Sequence, residues 1–198
     1  MFKRIILPIL KICLGGIMAV LALTGYVLTP ELFVEMTFIS NFVGGVILVV
    51  DGVLMFKNKS VPSFVYRNVA VCIFFVFLIC AGSLTGAYHM NFKGVFFFLH
   101  TIFPILFILM YIFFVKENKE KVIIKITTTP ILMIVYLLFD FILGKIRGEF
   151  VYGFFKSDEL DFLFALLIGL VFYLFLGLIG WLFLFFNSAA HPEKDNSK

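Results

Sequence analysis

The stretch from residue 32 to residue 56 constrains the fold most, because it is apolar enough to cross a bilayer yet carries polar side chains along one side. At 3.6 residues per turn, the members of this polar stripe share one helical face. They are Thr37, Ser40, Asn41, Gly44, Leu48 and Asp51. In hydrocarbon, such hydroxyl, amide and carboxyl groups must face a bundle interior or a wet cavity. The stripe therefore predicts that this helix packs against partner helices.

The composition places the whole chain in the membrane class. Of its 198 residues, 63% are hydrophobic and 14% are charged, whereas soluble domains are about half apolar and about a quarter charged. The net charge of +4 comes from short basic runs between apolar stretches, not from a basic face, so no nucleic-acid partner is expected. Cys13, Cys72 and Cys80 lie inside apolar runs without metal-type spacing, and we expect small buried side chains and no metal or cofactor.

At about 20 apolar residues per crossing, the chain divides into six predicted membrane helices. They cover residues 5–28, 32–56, 66–88, 94–115, 122–143 and 160–186. The predicted fold class is all-α, a polytopic membrane protein with its six transmembrane helices in one bundle over residues 1–186. Residues 187–198 are predicted to form a polar, disordered tail. Residues 144–159, which mix charges, glycines and aromatics, are predicted to form an interfacial segment or lid.

Two further patterns concern packing and orientation. Gly169 and Gly177 in the last helix, with Gly180 beside them, predict a close helix–helix seam. With six spans, twelve Lys and Arg residues fall on the side of the termini and four on the other, which predicts that both termini are cytoplasmic. The abundance of Phe, Ile and Lys is typical of an A/T-rich bacterial genome, so the expected location is a bacterial cell membrane, with membrane lipids as partners. The sequence does not indicate an oligomeric state.

Thr37 and His100 are the candidate catalytic residues. Thr37 is five residues into its predicted helix and His100 six residues into another, and both helices are entered from the same side. A rise of about 1.5 Å per residue puts both side chains roughly 7 to 9 Å below the boundary, at nearly one level. A hydroxyl beside an imidazole is the minimal nucleophilic pair, because a hydroxyl needs a base to take its proton. A buried histidine can alternatively serve as a metal ligand or as a structural hydrogen-bond donor.

Other polar residues are candidates for supporting roles. Asp140 and Glu35, near the ends of their helices, could orient the imidazole, although Asp140 could equally pair with Lys145 or Arg147. Asn41 is a candidate oxyanion donor, one turn below Thr37. Pro104 is expected to kink the helix one turn after His100 and to open space there. Asp51 is expected at the cytoplasmic interface or paired with Lys57.

Three segments resemble a known group of membrane proteins. MTFISNF around Thr37, LHTIFPILFIL around His100 and KIRGEFVYGFF around Arg147 and Tyr152 occur in that order across six spans. This ordered set resembles the bacterial Pr-six-Pr membrane proteins and, more distantly, the animal androgen-induced and androgen-dependent tissue-factor-pathway-inhibitor-regulating proteins. The resemblance implies a threonine hydrolase of fatty-acid esters of hydroxy fatty acids. By position, it makes Thr37 the nucleophile and His100 the proton relay, and adds Tyr152 as a supporting residue.

Three classes of function therefore stay open. The first is an intramembrane hydrolase of lipid or fatty-acid esters. The second is a carrier or channel in which Thr37, Asn41, His100 and Asp140 line a pathway. The third is a structural or regulatory membrane protein whose polar residues serve packing alone.

Overall fold

Apolar helices long enough to cross a membrane make up most of the structure, a computed structural model that describes residues 2–82, 93–151 and 161–192. The helices are α1 (Leu7–Tyr26), α2 (Met36–Met55), α3 (Ser63–Gly82), α4 (Gly94–Phe97), α5 (Phe103–Phe114), α6 (Val122–Thr128), α7 (Ile131–Arg147) and α8 (Phe162–Ala190). They form six candidate spans, and the described residues contain no β-strand. The all-α, six-span prediction is confirmed, and the chain is a polytopic membrane protein.

Two of the six spans are interrupted near a proline. The span Gly94–Phe114 consists of α4, a π turn at Phe98–Ile102 and α5, with Pro104 at the start of α5. The span Val122–Arg147 consists of α6 and α7, which are separated at Thr129 and Pro130. Proline has no N–H to donate and crowds the preceding turn, so both breaks follow from the sequence. We call the end where α1 and α7 finish the upper end, and the end where α2 and α5 finish the lower end.

Helices α1 and α2 pack backbone against backbone. A Cβ atom on Gly45 would lie 2.7 Å from Gly15 O and 2.8 Å from Ala19 N, which no side chain tolerates. The seam predicted in α8 is only partly present. A Cβ on Gly180 would meet Thr129, whereas a Cβ on Gly169 would meet nothing within 4 Å.

The polar stripe of α2 faces the interior, as predicted. Thr37, Ser40, Asn41 and Asp51 are each at most 3% exposed. Apolar side chains such as Val46, Val50 and Val53 are exposed on the same helix. The stripe therefore positions both groups of polar contacts described below.

Several predicted boundaries and environments were wrong. α2 begins at Met36, because residues Pro30–Val34 form a separate 3-10 turn. α7 continues to Arg147 and ends where Gly148 takes a left-handed conformation, at φ 87°. α8 continues to Ala190, and Asn187, assigned to the disordered tail, is buried and donates to the carbonyl oxygens of Tyr111 and Val115. Cys72 and Cys80 are buried as expected, but Cys13 is exposed.

Candidate active site

Thr37 and His100 meet near the upper end of the bundle. Thr37 Oγ1 lies 3.4 Å from His100 Nε2, and the two residues are 3% and 8% exposed. This distance is at the long end of hydrogen bonding, as catalytic contacts without substrate often are. The two residues come from separate spans and meet at one level, as their predicted depths indicate.

The other ring nitrogen of His100 fixes which atom carries the hydrogen. Nδ1 lies 2.9 Å from the carbonyl oxygen of Phe96, and a carbonyl oxygen can only accept. Nδ1 must therefore be the donor, and in the neutral ring Nε2 is left as an acceptor that faces Thr37. The Phe96 ring also stacks on the imidazole, with the two centroids 3.9 Å apart. His100 is thus held in the tautomer and orientation that a general base for Thr37 requires.

A π turn presents His100. Within it, the N–H of Phe103 donates to Phe98 O, a five-residue step. Such wide turns inside α-helices are frequent at functional sites. Pro104 was expected to kink the helix, and the π turn is the form that the local distortion takes.

Asn41 joins α2 to the span that carries His100. Its Nδ2 donates to Thr37 O at 2.8 Å and to Leu99 O at 3.0 Å. Both amide hydrogens therefore point at carbonyl oxygens, so Asn41 is not an oxyanion donor in this arrangement. It holds the backbone before His100 against the first turn of α2, which makes it a positioning residue.

A cavity of about 480 Å³ opens beside the pair. Its lining comes from α1, α2, α3, α7, α8 and the span that carries His100, and it is mostly apolar. Phe75, Met133 and Phe172 line it along the helices, whereas Thr29, Glu35 and Asp140 are among the polar residues that line it. Ligand pockets in proteins range from about 300 to 1,000 Å³ and are mainly apolar with a few placed polar groups.

Neither carboxylate candidate orients His100. Glu35 Oε2 accepts from the hydroxyl of Tyr26 at 2.8 Å, and Asp140 Oδ1 accepts from the N–H of Val151 at 2.9 Å. Asp140 therefore pairs with backbone, not with Lys145 or Arg147. Burial raises the pKa of the Glu35 carboxyl above its ordinary value, and the hydrogen bond from Tyr26 partly opposes that shift. Tyr152 lies outside the described residues.

No family model matches the sequence, and no curated protein or solved structure matches it at a significant level. The resemblance drawn from three short segments therefore stays a prediction. Any chemistry assigned to the chain depends on the geometry around Thr37 and His100.

A buried ion pair near the lower end was missed by sequence reasoning. Lys11 Nζ donates to Asp51 Oδ2 at 2.5 Å, and both side chains are 2% exposed. The hydroxyl of Tyr66 donates to the same carboxylate at 2.8 Å, and the N–H of Val61 donates to its other oxygen at 2.7 Å. Asp51 therefore pairs with Lys11, not with Lys57, and it ties three spans and a loop together.

A second ion pair lies nearby. Arg67 is fully buried, with Nη1 2.6 Å from Glu117 Oε2 and Nε 2.8 Å from Thr129 Oγ1. Tyr111 donates to the other Glu117 oxygen at 2.6 Å, and Lys125 Nζ lies 3.5 Å from Oε2. Arg67 is 50 residues from Glu117 and 62 from Thr129, so these pairings had no local signal in the sequence. The network fixes the loop after α5 against α3 and α6.

An apolar layer separates the cavity from these ion pairs. Met18, Leu48, Ile73 and Phe107 are fully buried and lie, on their helices, between the Thr37 level and the Lys11 level. Their packing is tight, since a Cβ on Gly44 would lie within 3.2 Å of Met18, Ile73 and Phe107. The polar stripe of α2 therefore serves two groups of contacts, one on each side of this apolar layer.

Proposed function

We propose that the protein is an intramembrane hydrolase that cleaves lipid or fatty-acid esters, with Thr37 as nucleophile and His100 as general base. The observation that carries the proposal is the 3.4 Å approach of Thr37 Oγ1 to the acceptor nitrogen of His100. The same pair lines an apolar cavity of about 480 Å³.

The chemistry follows the usual two-step order of acyl transfer. Thr37 Oγ1 attacks the ester carbonyl carbon while His100 Nε2 takes the hydroxyl proton. The tetrahedral intermediate then collapses, the bond to the alcohol oxygen breaks, and the alcohol leaves with the proton from His100. In the second step a water molecule, deprotonated by His100, attacks the acyl–threonine ester. The fatty acid departs and Thr37 regains its proton.

The start of α2 is a source of oxyanion stabilisation. Glu35 is the N-cap residue of α2, Met36 is the first helical residue and Thr37 is the second. First-turn N–H groups have no partner within their own helix, and the helix dipole is positive at this end. The N–H groups of Met36 and Phe38 are therefore candidates to stabilise negative charge on the carbonyl oxygen.

The cavity suits a lipid substrate. Its apolar walls, which include Phe75, Met133 and Phe172, match an acyl chain, and its polar residues Glu35 and Asp140 match a headgroup. In the cell we place both termini in the cytoplasm, so that the upper end faces outward. The excess of Lys and Arg at the lower end supports this orientation, although Lys11, Arg67 and Lys125 are used in buried ion pairs.

The test is active-site labelling of the purified protein in detergent. A fluorophosphonate with an alkyl chain should label the wild type and Thr37→Ser, because both retain a hydroxyl. Labelling should be lost in Thr37→Ala and in His100→Ala, and ester turnover should fall roughly 10³-fold or more in each.

Thr24→Ala is the matched control. Thr24 is an exposed threonine of α1 whose hydroxyl donates to Val20 O in its own helix, so this variant should label like the wild type. Size-exclusion profiles establish that each variant is folded. Labelling that persists in folded Thr37→Ala would rule Thr37 out as the nucleophile.

A further inference from the structure

The cavity carries only negative formal charge in the lining that the described residues provide. Glu35 and Asp140 belong to that lining, and no Lys or Arg does. Glu35 is two residues before the nucleophile Thr37, so the charge lies close to the reacting centre along the chain. Both carboxyl groups are partly exposed, which leaves them able to meet a ligand.

The partners of these carboxyl groups are uncharged. Glu35 accepts from the Tyr26 hydroxyl and Asp140 accepts from the N–H of Val151, and neither group forms a salt bridge with another described residue. Lys145 Nζ lies 5.6 Å from the ring centroid of Phe141, a lining residue. Lys145 itself is exposed and outside the lining. Hydrogen bonds from neutral donors do not cancel a negative charge.

The cavity lining combines apolar and acidic residues. Phe75, Met133 and Phe172 suit an acyl chain, which leaves the alcohol part of the ester for the polar lining residues, among them Glu35 and Asp140. Two carboxylates attract hydroxyl donors and cationic groups and repel another anion.

We propose that this hydrolase accepts acyl esters of uncharged or cationic alcohols, such as a monoacylglycerol, and rejects esters whose alcohol part carries a negative charge. The inference rests on the proposed function. It differs from what the sequence resemblance implies, since an ester of a hydroxy fatty acid carries a carboxylate in its alcohol part. Rejection of such an ester would follow from Glu35 and Asp140.

Two esters with permanent and opposite charges test the proposal. Lauroylcholine and lauroyl isethionate share an acyl chain and a two-carbon alcohol, which ends in an ammonium group or a sulfonate group. Monolauroylglycerol is the neutral member of the series. We expect kcat/KM for the choline and glycerol esters to exceed that for the isethionate by about tenfold or more. The double variant Glu35→Gln/Asp140→Asn should reduce this ratio toward one.

The substitutions keep the existing contacts, because a side-chain amide oxygen can still accept from Tyr26 and from Val151. Glu31→Gln/Glu149→Gln is the matched control, since it removes two exposed carboxylates that are outside the cavity lining, and it should leave the ratio unchanged. A wild-type preference for the isethionate, or a ratio that the Glu35/Asp140 variant leaves intact, would overturn the proposal.

Binding measurements test the charge selectivity independently of the proposed hydrolase activity. In Thr37→Ala, displacement of a fluorescent monoacylglycerol by the three esters should follow the same order as turnover in the wild type. If no ester is turned over but this order of binding holds and depends on Glu35 and Asp140, the hydrolase fails and the charge selectivity stands. If binding does not discriminate between the charges, the selectivity fails whatever the turnover.

Discussion

At the scale of single residues, Glu35 provides a test of the site that needs no substrate. Its raised pKa means that the folded protein holds the proton of this carboxyl more tightly than the unfolded chain does. Stability from this group is therefore present at low pH and is lost as pH rises from the ordinary value of 4.5 through the raised one.

Glu35→Gln should remove that loss. We expect its unfolding temperature in detergent to change less between acidic and mildly alkaline pH than that of the wild type. Glu31→Gln, an exposed carboxylate five residues from Tyr26, is the control and should follow the wild type. Identical pH profiles for Glu35→Gln and the wild type would contradict the assigned environment.

Sequence reasoning brought Thr37 and His100 together because both depend on one quantity, the depth of a residue along an apolar span. It could not assign Asn41, since the roles of a side-chain amide depend on which carbonyl oxygens lie opposite, and Leu99 O belongs to another span. It also missed that Thr37 is at the start of α2. The cause was the apolar residues 32–34, which belong to the 3-10 turn Pro30–Val34 but resemble the first turn of a membrane helix in the sequence.

At the scale of helices, the Lys11–Asp51 pair fixes how α1, α2 and α3 meet. Lys11→Met alone leaves a buried carboxylate without its cation, a change that costs about 3–5 kcal/mol in comparable buried pairs. Lys11→Met/Asp51→Asn should be more stable than that single variant, because an amide oxygen can still accept from Tyr66 and Val61 without carrying charge. Denaturant titration in micelles measures the difference.

Strictly additive effects of Lys11→Met and Asp51→Asn would contradict this pairing. The partners are 40 residues apart, and Lys11 reads as one of several basic residues near a span end. Hydropathy therefore predicted where the helices are, but it could not predict which charges meet between them. The same holds for Arg67 and Glu117, 50 residues apart.

At the scale of the whole molecule, a glycine of α8 allows the use of the cavity to be tested. Gly169 lines the cavity, and a Cβ placed there meets nothing within 4 Å. Gly169→Leu should therefore occupy acyl-binding space without disturbing the helices. We expect about a tenfold loss of kcat/KM for long-chain esters relative to short-chain ones, with the unfolding temperature unchanged.

Gly16→Leu is the control for this substitution. Gly16 is also a helical glycine with open space at its Cβ position, but it is outside the cavity lining. It should leave chain-length preference as in the wild type. Equal losses for long and short esters in Gly169→Leu would mean that the acyl chain binds elsewhere. The cavity itself could not be predicted from sequence, because Gly169 reads as a packing residue until the distance to its neighbours is known.

The apolar layer of Met18, Leu48, Ile73 and Phe107 has a consequence for the surrounding bilayer. If the proposed hydrolysis takes place at Thr37, on the upper side of this layer, the fatty acid and the alcohol would return to the leaflet from which the ester came. Turnover would thus deplete one monolayer and leave its counterpart intact. Lipid asymmetry would then grow with every catalytic cycle until spontaneous or assisted flip-flop restored the balance.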